Sequence, residues 1–297
     1  MIEDFNKNLS SSKDSLDVED AYLVIGQGDI GLEVTNSLAK SQKKVTGLAR
    51  GDRQCYDLQH GSEFLQADAL KLSADQVKTF THIAIIVTPD NYDAPNYKNT
   101  YLGIAQHFAK LEPQLPHLKQ VVFISSTGVY GQDNGEWIDE TVTPKLPERE
   151  ASQYILQAEQ VLQHAFSARA VIIRPSGIYG KKRLMRVRKA KEVDKEPMPN
   201  CSWTNRIMDS DLVNIIAQVL TSPQSDKLKP VYLATDYQPV TSLELSTWLA
   251  AQLNSSTPIA HNDDHTMTGK RLHSNIPRDW LQFPDWKSGY QYILQSI

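Results

Sequence analysis

Cysteine is scarce in this 297-residue chain, which holds only Cys55 and Cys201. The two residues lie far apart and match no metal-ligand spacing, which excludes a disulfide-stapled scaffold and a cysteine cluster for zinc. We therefore interpret both as free thiols in a reducing compartment.

Long hydrophobic runs are also missing. No apolar run approaches the roughly 18 residues that a membrane-spanning helix needs. The first twenty residues are polar and lack the apolar stretch of a signal peptide. The sequence predicts a cytoplasmic protein with no membrane partner, in which residues 1–19 form a mobile polar tail.

An excess of positive charge is absent as well. The formal net charge is −4, which argues against a general nucleic-acid binder. One segment, residues 181–191, carries seven cations but no aromatic residue among them. We interpret it as a solvated loop-like stretch, with an anionic substrate as the alternative. The polar segment His261–His265 lacks the spacing of a closed metal site, so no metal is predicted.

The sequence YLVIGQGDIG, residues 22–31, is the most informative motif that is present. A short apolar run leads into Gly26, Gly28 and Gly31, and apolar residues then recur at helical spacing. The first glycine permits a tight turn, the second lets a pyrophosphate approach, and the third lets the helix pack on the strand. The helix N-terminus then favours the negative charge. This pattern predicts a dinucleotide-binding turn.

Six short apolar runs follow one another along the chain: Tyr22–Ile25, Val45–Ala49, His82–Val87, Val121–Ile124, Ala170–Ile173 and Val231–Ala234. They do not alternate with polar residues, which is typical of strands buried on both faces of a parallel sheet. Helical stretches separate many of them, namely Asp29–Lys40, Tyr97–Leu111 and Ala151–Phe166. The fold class predicted is α/β, a Rossmann-type doubly wound parallel sheet.

The pattern changes after Pro175. We predict that residues 20–175, completed by parts of 206–236, form the dinucleotide-binding domain. Residues 176–297 would form mainly a smaller C-terminal α/β cap that binds substrate. In such folds the ligand crevice lies at the carboxyl ends of the strands.

Two motifs bring a family into view, SSTGVYG at residues 125–131 and RPSGIYG at residues 174–180. Together they resemble the extended short-chain dehydrogenases/reductases, which include nucleotide-sugar epimerases and dehydratases. Weaker matches follow in the same order, at Asp68, at Glu140–Pro144, at Arg206–Asp211 and in YLATDYQPVT at residues 232–241. The resemblance covers about residues 20–290.

The resemblance implies an epimerase, dehydratase or oxidoreductase that uses NAD(P) and acts on a nucleotide sugar or a related anionic small molecule. It implies substrate contacts at Tyr130, Arg183 and Arg206. With the glycine motif, it implies these cofactor contacts: Gly26, Gly28, Asp29, Ile30, Gly31, Asp68, Thr88, Pro89, Ser125 and Pro175.

One departure from the family decides the chemistry. The family uses a Tyr-x-x-x-Lys pair, in which lysine lowers the pKa of tyrosine for proton transfer. If Glu159 aligns with the glutamate that follows this pair, Ala151 and Ile155 stand at the two positions, and neither can titrate. The hydroxyls of Ser126 and Thr127 remain as catalytic candidates. Tyr154 is a substitute proton donor or, alternatively, a core residue.

The end of the second predicted strand bears on the choice of cofactor. An acidic residue there selects NAD, whereas arginine accommodates the 2′-phosphate of NADP. The position is held by Ala49 or Arg50, and Arg53 follows. We therefore predict NADP, with NAD as the alternative.

Three functions remain open on the sequence alone. The first is an enzyme with an altered active site, the second is a non-catalytic NADP(H)-binding sensor or regulator, and the third is a structural subunit. A homodimer is compatible with each of them.

Overall fold

A computed structural model describes residues 18–192, 197–261 and 266–296. Residues 1–17 of the predicted tail lie outside the described residues. The strands are, in chain order, β1 (Ala21–Ile25), β2 (Lys44–Ala49), β3 (Glu63–Gln66), β4 (His82–Ile85), β5 (Gln120–Ile124), β6 (Asn134–Ile138), β7 (Ala170–Pro175), β8 (Gly177–Tyr179), β9 (Ser202–Thr204), β10 (Arg206–Met208), β11 (Val231–Ala234), β12 (Val240–Thr241) and β13 (Thr268–Leu272). The α-helices are α1 (Asp29–Lys40), α2 (Ala74–Val77), α3 (Ala94–Tyr97), α4 (Ile104–Leu111), α5 (Glu150–Phe166), α6 (Met185–Lys191), α7 (Asp209–Leu220), α8 (Ser242–Gln252) and α9 (Trp286–Leu294).

Seven strands form one sheet in the order β11-β7-β5-β4-β1-β2-β3, and every neighbouring pair is parallel. The strand order reverses on either side of β1, which lies between β4 and β2. The predicted doubly wound α/β fold is therefore confirmed. All six apolar runs that the sequence analysis named are strands of this sheet, and the carboxyl ends of β1, β2 and β4 lie side by side.

Helices cover both faces of the sheet because successive strand side chains point to opposite sides. Leu23 and Ile25 of β1 belong to a core that also holds Phe108 of α4 and Leu162 of α5. Val24, between them, belongs to a second core that includes residues of α1 and α7. This two-sided burial explains why the strand sequences lack a polar face.

The helix predicted at Tyr97–Leu111 begins earlier and is not uniform. It runs from α3 through a π-helical turn, Lys98–Gly103, into α4. Asp93 caps its N-terminus by accepting a hydrogen bond from the backbone N–H of Asn96, at 2.9 Å. Single π turns inside helices occur frequently at functional sites, and Asn99 of this turn lines the cleft described below.

The C-terminal part adds two small sheets, β10-β8 and β12-β9-β13-β6. It has its own core, in which Tyr179, Leu249 and Trp286 are buried. Strand β6 comes from the earlier part of the chain and pairs with β13. A strand that precedes residue 175 is thus hydrogen-bonded to a strand that follows it, and the division into two domains stays a prediction.

The loop-like interpretation of residues 181–191 is wrong for its second half, which forms α6. Val187 and Ala190 lie three residues apart, so they share one helix face, and both are buried. That face packs against α8. The many cations conceal this apolar face in the sequence.

Two absences apply to residues 18–192, 197–261 and 266–296. No helix in these ranges is both long and apolar enough to cross a membrane. In the same ranges no three His, Cys, Asp or Glu side chains are grouped so that they could hold a metal ion. Residues 262–265 of the polar segment named above lie outside the described residues.

Candidate functional site

The three glycines of the first turn differ in the space around them. A Cβ atom on Gly26 would lie 2.1 Å from the Ile86 carbonyl oxygen, and its φ of +92° suits only glycine well. A Cβ on Gly31 would lie 1.9 Å from the Gly26 carbonyl oxygen. A Cβ on Gly28 would meet nothing within 4 Å. The fold itself therefore requires Gly26 and Gly31, whereas Gly28 leaves open space at the start of α1.

That space belongs to a cleft of about 600 Å³ across the carboxyl ends of β4, β1 and β2. Of the predicted cofactor residues, it is lined by Gly26, Gly28, Arg50, Asp68 and Thr88. The carboxylate of Asp68 accepts a hydrogen bond from the backbone N–H of Leu70 at 3.0 Å, which fixes its orientation at the end of β3.

Other predicted cofactor residues lie elsewhere. Asp29 and Ile30 line a separate cleft of about 350 Å³ beside the start of α7. Pro89 is buried and is not among the lining residues of the larger cleft. Pro175 is buried at the end of β7.

The two arginines predicted for the 2′-phosphate have different positions. Arg50 lines the larger cleft, and its Nη2 atom lies 2.6 Å from Oδ1 of Asp90. Arg53 does not line the cleft, and its guanidinium donates to the Tyr56 carbonyl oxygen at 3.2 Å. Only Arg50 is in place to face a ligand there.

A buried polar network lies beneath the ends of β5 and β7. Arg174 donates to both carboxylate oxygens of Glu159, at 2.9 and 2.6 Å, and donates to the Tyr130 hydroxyl at 2.6 Å. The Ser125 hydroxyl donates to the same carboxylate. Glu159 and Tyr130 are each 1% exposed, and Arg174 is 5% exposed. The network joins α5 to two central strands.

Two members of this network escaped the sequence analysis as site residues, Glu159 and Arg174. The sequence held one signal for this network, because Glu159 is a charged residue on the apolar stripe of α5, directly after Ala158. The Tyr130 ring is buried and its hydroxyl contacts Arg174, and its contact with substrate stays a prediction.

The predicted catalytic hydroxyls lie just above this network, and both Ser126 and Thr127 are partly exposed. Ser126 accepts a hydrogen bond from the backbone N–H of Gly128 at 3.0 Å. A Cβ on Gly128 would lie 3.2 Å from Ser126 Oγ and 3.5 Å from Ser152 Oγ. Two serine hydroxyls therefore flank this turn, and Ser152 was not identified from the sequence.

Ala151 and Ile155, to which the sequence analysis assigned the two positions of the Tyr–Lys pair, carry no titratable group. Ala151 is partly exposed on the first turn of α5, and Ile155 is 5% exposed and belongs to the core. The Tyr154 hydroxyl donates to the Glu150 carboxylate at 2.6 Å, and this hydrogen bond raises the pKa of Tyr154 above its usual value. A raised pKa makes Tyr154 a weaker acid near neutral pH, and its catalytic role stays a prediction.

The two arginines predicted for substrate also differ in position. Nη2 of Arg183 lies 3.5 Å from Oδ2 of Asp29, which ties residues 181–184 to the start of α1. Arg206 is 6% exposed and donates to the Thr204 hydroxyl at 2.8 Å. Its Nε atom and Oδ2 of Asp236 are both buried without a hydrogen-bond partner. Burial raises the pKa of Asp236 to about 8.

The model of the NAD dependent epimerase/dehydratase family matches residues 22–232, more than half of the chain. The chain belongs to this family. No curated protein matches the chain.

Several solved structures share the family's architecture. A provisionally assigned NAD-dependent epimerase/dehydratase of Methylobacillus flagellatus has 29% identity and a TM-score of 0.74, with 93% of this chain and 98% of that chain covered. UDP-glucuronic acid 4-epimerase of Bacillus cereus, in complex with NAD, has 16% identity and a TM-score of 0.72, with 93% and 99% covered. The enzyme WbmG of Bordetella bronchiseptica, in complex with NAD and UDP, has 12% identity and a TM-score of 0.70, with 95% and 96% covered. The last two likenesses concern the fold.

Removing the cation of the buried pair should destabilise the protein strongly. In Arg174→Met, the Glu159 carboxylate loses its charged partner, and breaking a buried pair in this way costs about 3–5 kcal/mol of unfolding free energy. The double variant Glu159→Leu/Arg174→Met should recover most of the loss. Denaturant unfolding measures both values, and a single variant as stable as the native protein would contradict the assignment.

Asp236 should make stability fall as pH rises. Its pKa of about 8 in the folded protein exceeds the 3.8 of an unperturbed aspartate, so its contribution is full below about pH 4 and is lost as pH rises through 8. Asp236→Asn should therefore raise the melting temperature more at pH 8.5 than at pH 5, by about 2–4 °C for each kcal/mol. An equal shift at both values would rule out this titration.

Proposed function

We propose that the chain binds a nicotinamide dinucleotide in the cleft across β4, β1 and β2. The observation that carries this proposal is the open space at Gly28. The fold needs a glycine at the two neighbouring motif positions, but no atom of the residues that the structure describes lies within 4 Å of a Cβ placed on Gly28. A pyrophosphate that rests against the N-terminus of α1 would use that space.

The remaining cofactor contacts follow from the positions of the lining residues. Asp68 and Thr88 would lie along the dinucleotide, and Gly26 and Gly31 would shape the turn beneath it. Asp29, Ile30, Pro89, Ser125 and Pro175 remain proposed contacts on the resemblance alone. A bound dinucleotide of this kind supplies reversible hydride transfer.

We favour NADP over NAD because of the residue that follows β2. Arg50 faces the cleft and is not acidic, and a guanidinium can bind a 2′-phosphate through charge-assisted hydrogen bonds. Arg53 does not line the cleft, and its guanidinium donates to the Tyr56 carbonyl oxygen, so the proposed preference for NADP depends on Arg50.

The substrate we propose is an anionic small molecule such as a nucleotide sugar, bound beside Ser126. The family and the cations of residues 181–191 support this class. The hydroxyl of Ser126, with Thr127 next to it, would hold a substrate oxygen. Arg183 of that segment pairs with Asp29 at the start of α1, whereas buried Arg206 would support the site from within.

A second candidate is a dinucleotide-binding regulator without turnover. Ala151 and the buried Ile155 cannot transfer a proton, and the hydrogen bond with Glu150 raises the pKa of Tyr154. General acid–base catalysis contributes about 10²–10⁴-fold to such reactions. Its loss therefore suits a protein in which binding is the function.

Gly28→Ala should separate binding from folding. A methyl group at this position meets no atom of the described residues within 4 Å. Gly28 is the N-cap of α1, where alanine is somewhat less favourable than glycine, so the melting temperature should fall by no more than about 3 °C. The same methyl would obstruct the pyrophosphate, so dinucleotide affinity should fall at least about tenfold. Calorimetric titration with NADPH and NADH tests this. The matched variants Gly26→Ala and Gly31→Ala should instead destabilise the fold. Unchanged affinity in a folded Gly28→Ala protein would overturn the proposed site.

Turnover with ordinary nucleotide sugars should be slow or absent in the native protein. A screen with UDP-sugars and each dinucleotide measures it, alongside Ser126→Ala and Tyr154→Phe. Residual activity should fall in Ser126→Ala, with a smaller effect in Tyr154→Phe. Activity that neither substitution alters would contradict the placement of the active site. Binding without any turnover would favour the regulator.

A further inference from the structure

The Arg50–Asp90 ion pair crosses the proposed dinucleotide cleft. Arg50 follows the last residue of β2, and Asp90 lies in the segment after β4. Because β1 lies between these two strands in the sheet, the pair connects the two sides of the turn that contains Gly26 and Gly28. Both side chains line the cleft.

This arrangement sets the charge that a ligand meets. The Arg50 guanidinium holds the pKa of Asp90 below its usual range, so the carboxylate is charged at neutral pH. Asp68, at the end of β3, also lies close enough to interact electrostatically with Arg50. A single guanidinium therefore faces two carboxylates, and its positive charge is largely offset.

The two dinucleotides would respond to this arrangement differently. A 2′-phosphate adds close to two negative charges and needs the guanidinium as its partner. Because the ion pair occupies the Nη2 donor of Arg50, Asp90 competes with the phosphate for that guanidinium. A 2′-hydroxyl carries no charge and allows the ion pair to persist.

We propose that Asp90 is a specificity-determining residue that limits the preference for NADP by holding Arg50 across the cleft. The inference rests on the proposed dinucleotide function. Selectivity between NADP and NAD is usually attributed to the residue at the end of β2. Asp90, which lies in the segment after β4, would contribute to the same selectivity.

Asp90→Asn should release Arg50 and tighten the binding of NADPH by about two- to fivefold, the upper part of the range expected for an exposed charge pair. The affinity for NADH should change by less than about twofold, since no phosphate takes up the freed cation. In the Arg50→Ala background the gain from Asp90→Asn should largely disappear, because Asp90 acts through Arg50. Calorimetric titration of each variant with both dinucleotides gives these ratios.

Asp75→Asn is the matched control. It removes the same charge from another exposed ion pair, in which Asp75 Oδ1 lies 2.7 Å from Lys78 Nζ, and it does not line the cleft. It should leave both affinities unchanged. An NADPH-to-NADH ratio in Asp90→Asn equal to the native ratio, or an equal gain in Asp75→Asn, would overturn the inference alone. Failure of the native protein to bind either dinucleotide would overturn the proposed function and the inference with it.

Discussion

Close backbone packing at the first turn is the constraint on which the site depends. Gly26 lies so near the Ile86 carbonyl, and Gly31 so near the Gly26 carbonyl, that neither position has room for a Cβ atom. This contact fixes the start of α1 against the ends of β1 and β4. It also leaves Gly28 facing open space, so two glycines of one short segment are required by the fold and the third remains for the proposed ligand.

The buried Glu159–Arg174 pair stabilises the other half of the site. It binds α5 to β7 and, through Ser125, to β5, so the turn with Ser126 has a rigid base. The buried pair and the Ser126 turn are both present, although Ala151 and Ile155 on the same helix are apolar. The scaffold of an acid–base site and the ability to transfer a proton are thus separate properties.

The sequence was sufficient for the sheet and the glycine turn, because apolar runs and local spacing determine both. It was insufficient where side chains from distant segments meet. Asp90 reaches Arg50 from forty positions away, which no local pattern indicates. Arg53 has the same charge as Arg50 but turns to the Tyr56 carbonyl, and Tyr130 is covered by Arg174. Helix α6 was missed because its two buried residues stand among cations.

The central claim is that a dinucleotide lies across β4, β1 and β2 with its pyrophosphate at Gly28. A crystal structure of the protein soaked with NADPH tests it most directly. The account predicts density for the pyrophosphate beside Gly28 and the start of α1, with the adenosine end between Arg50 and Asp68. Density for the dinucleotide in another cleft, such as the one lined by Asp29 and Tyr292, would contradict it.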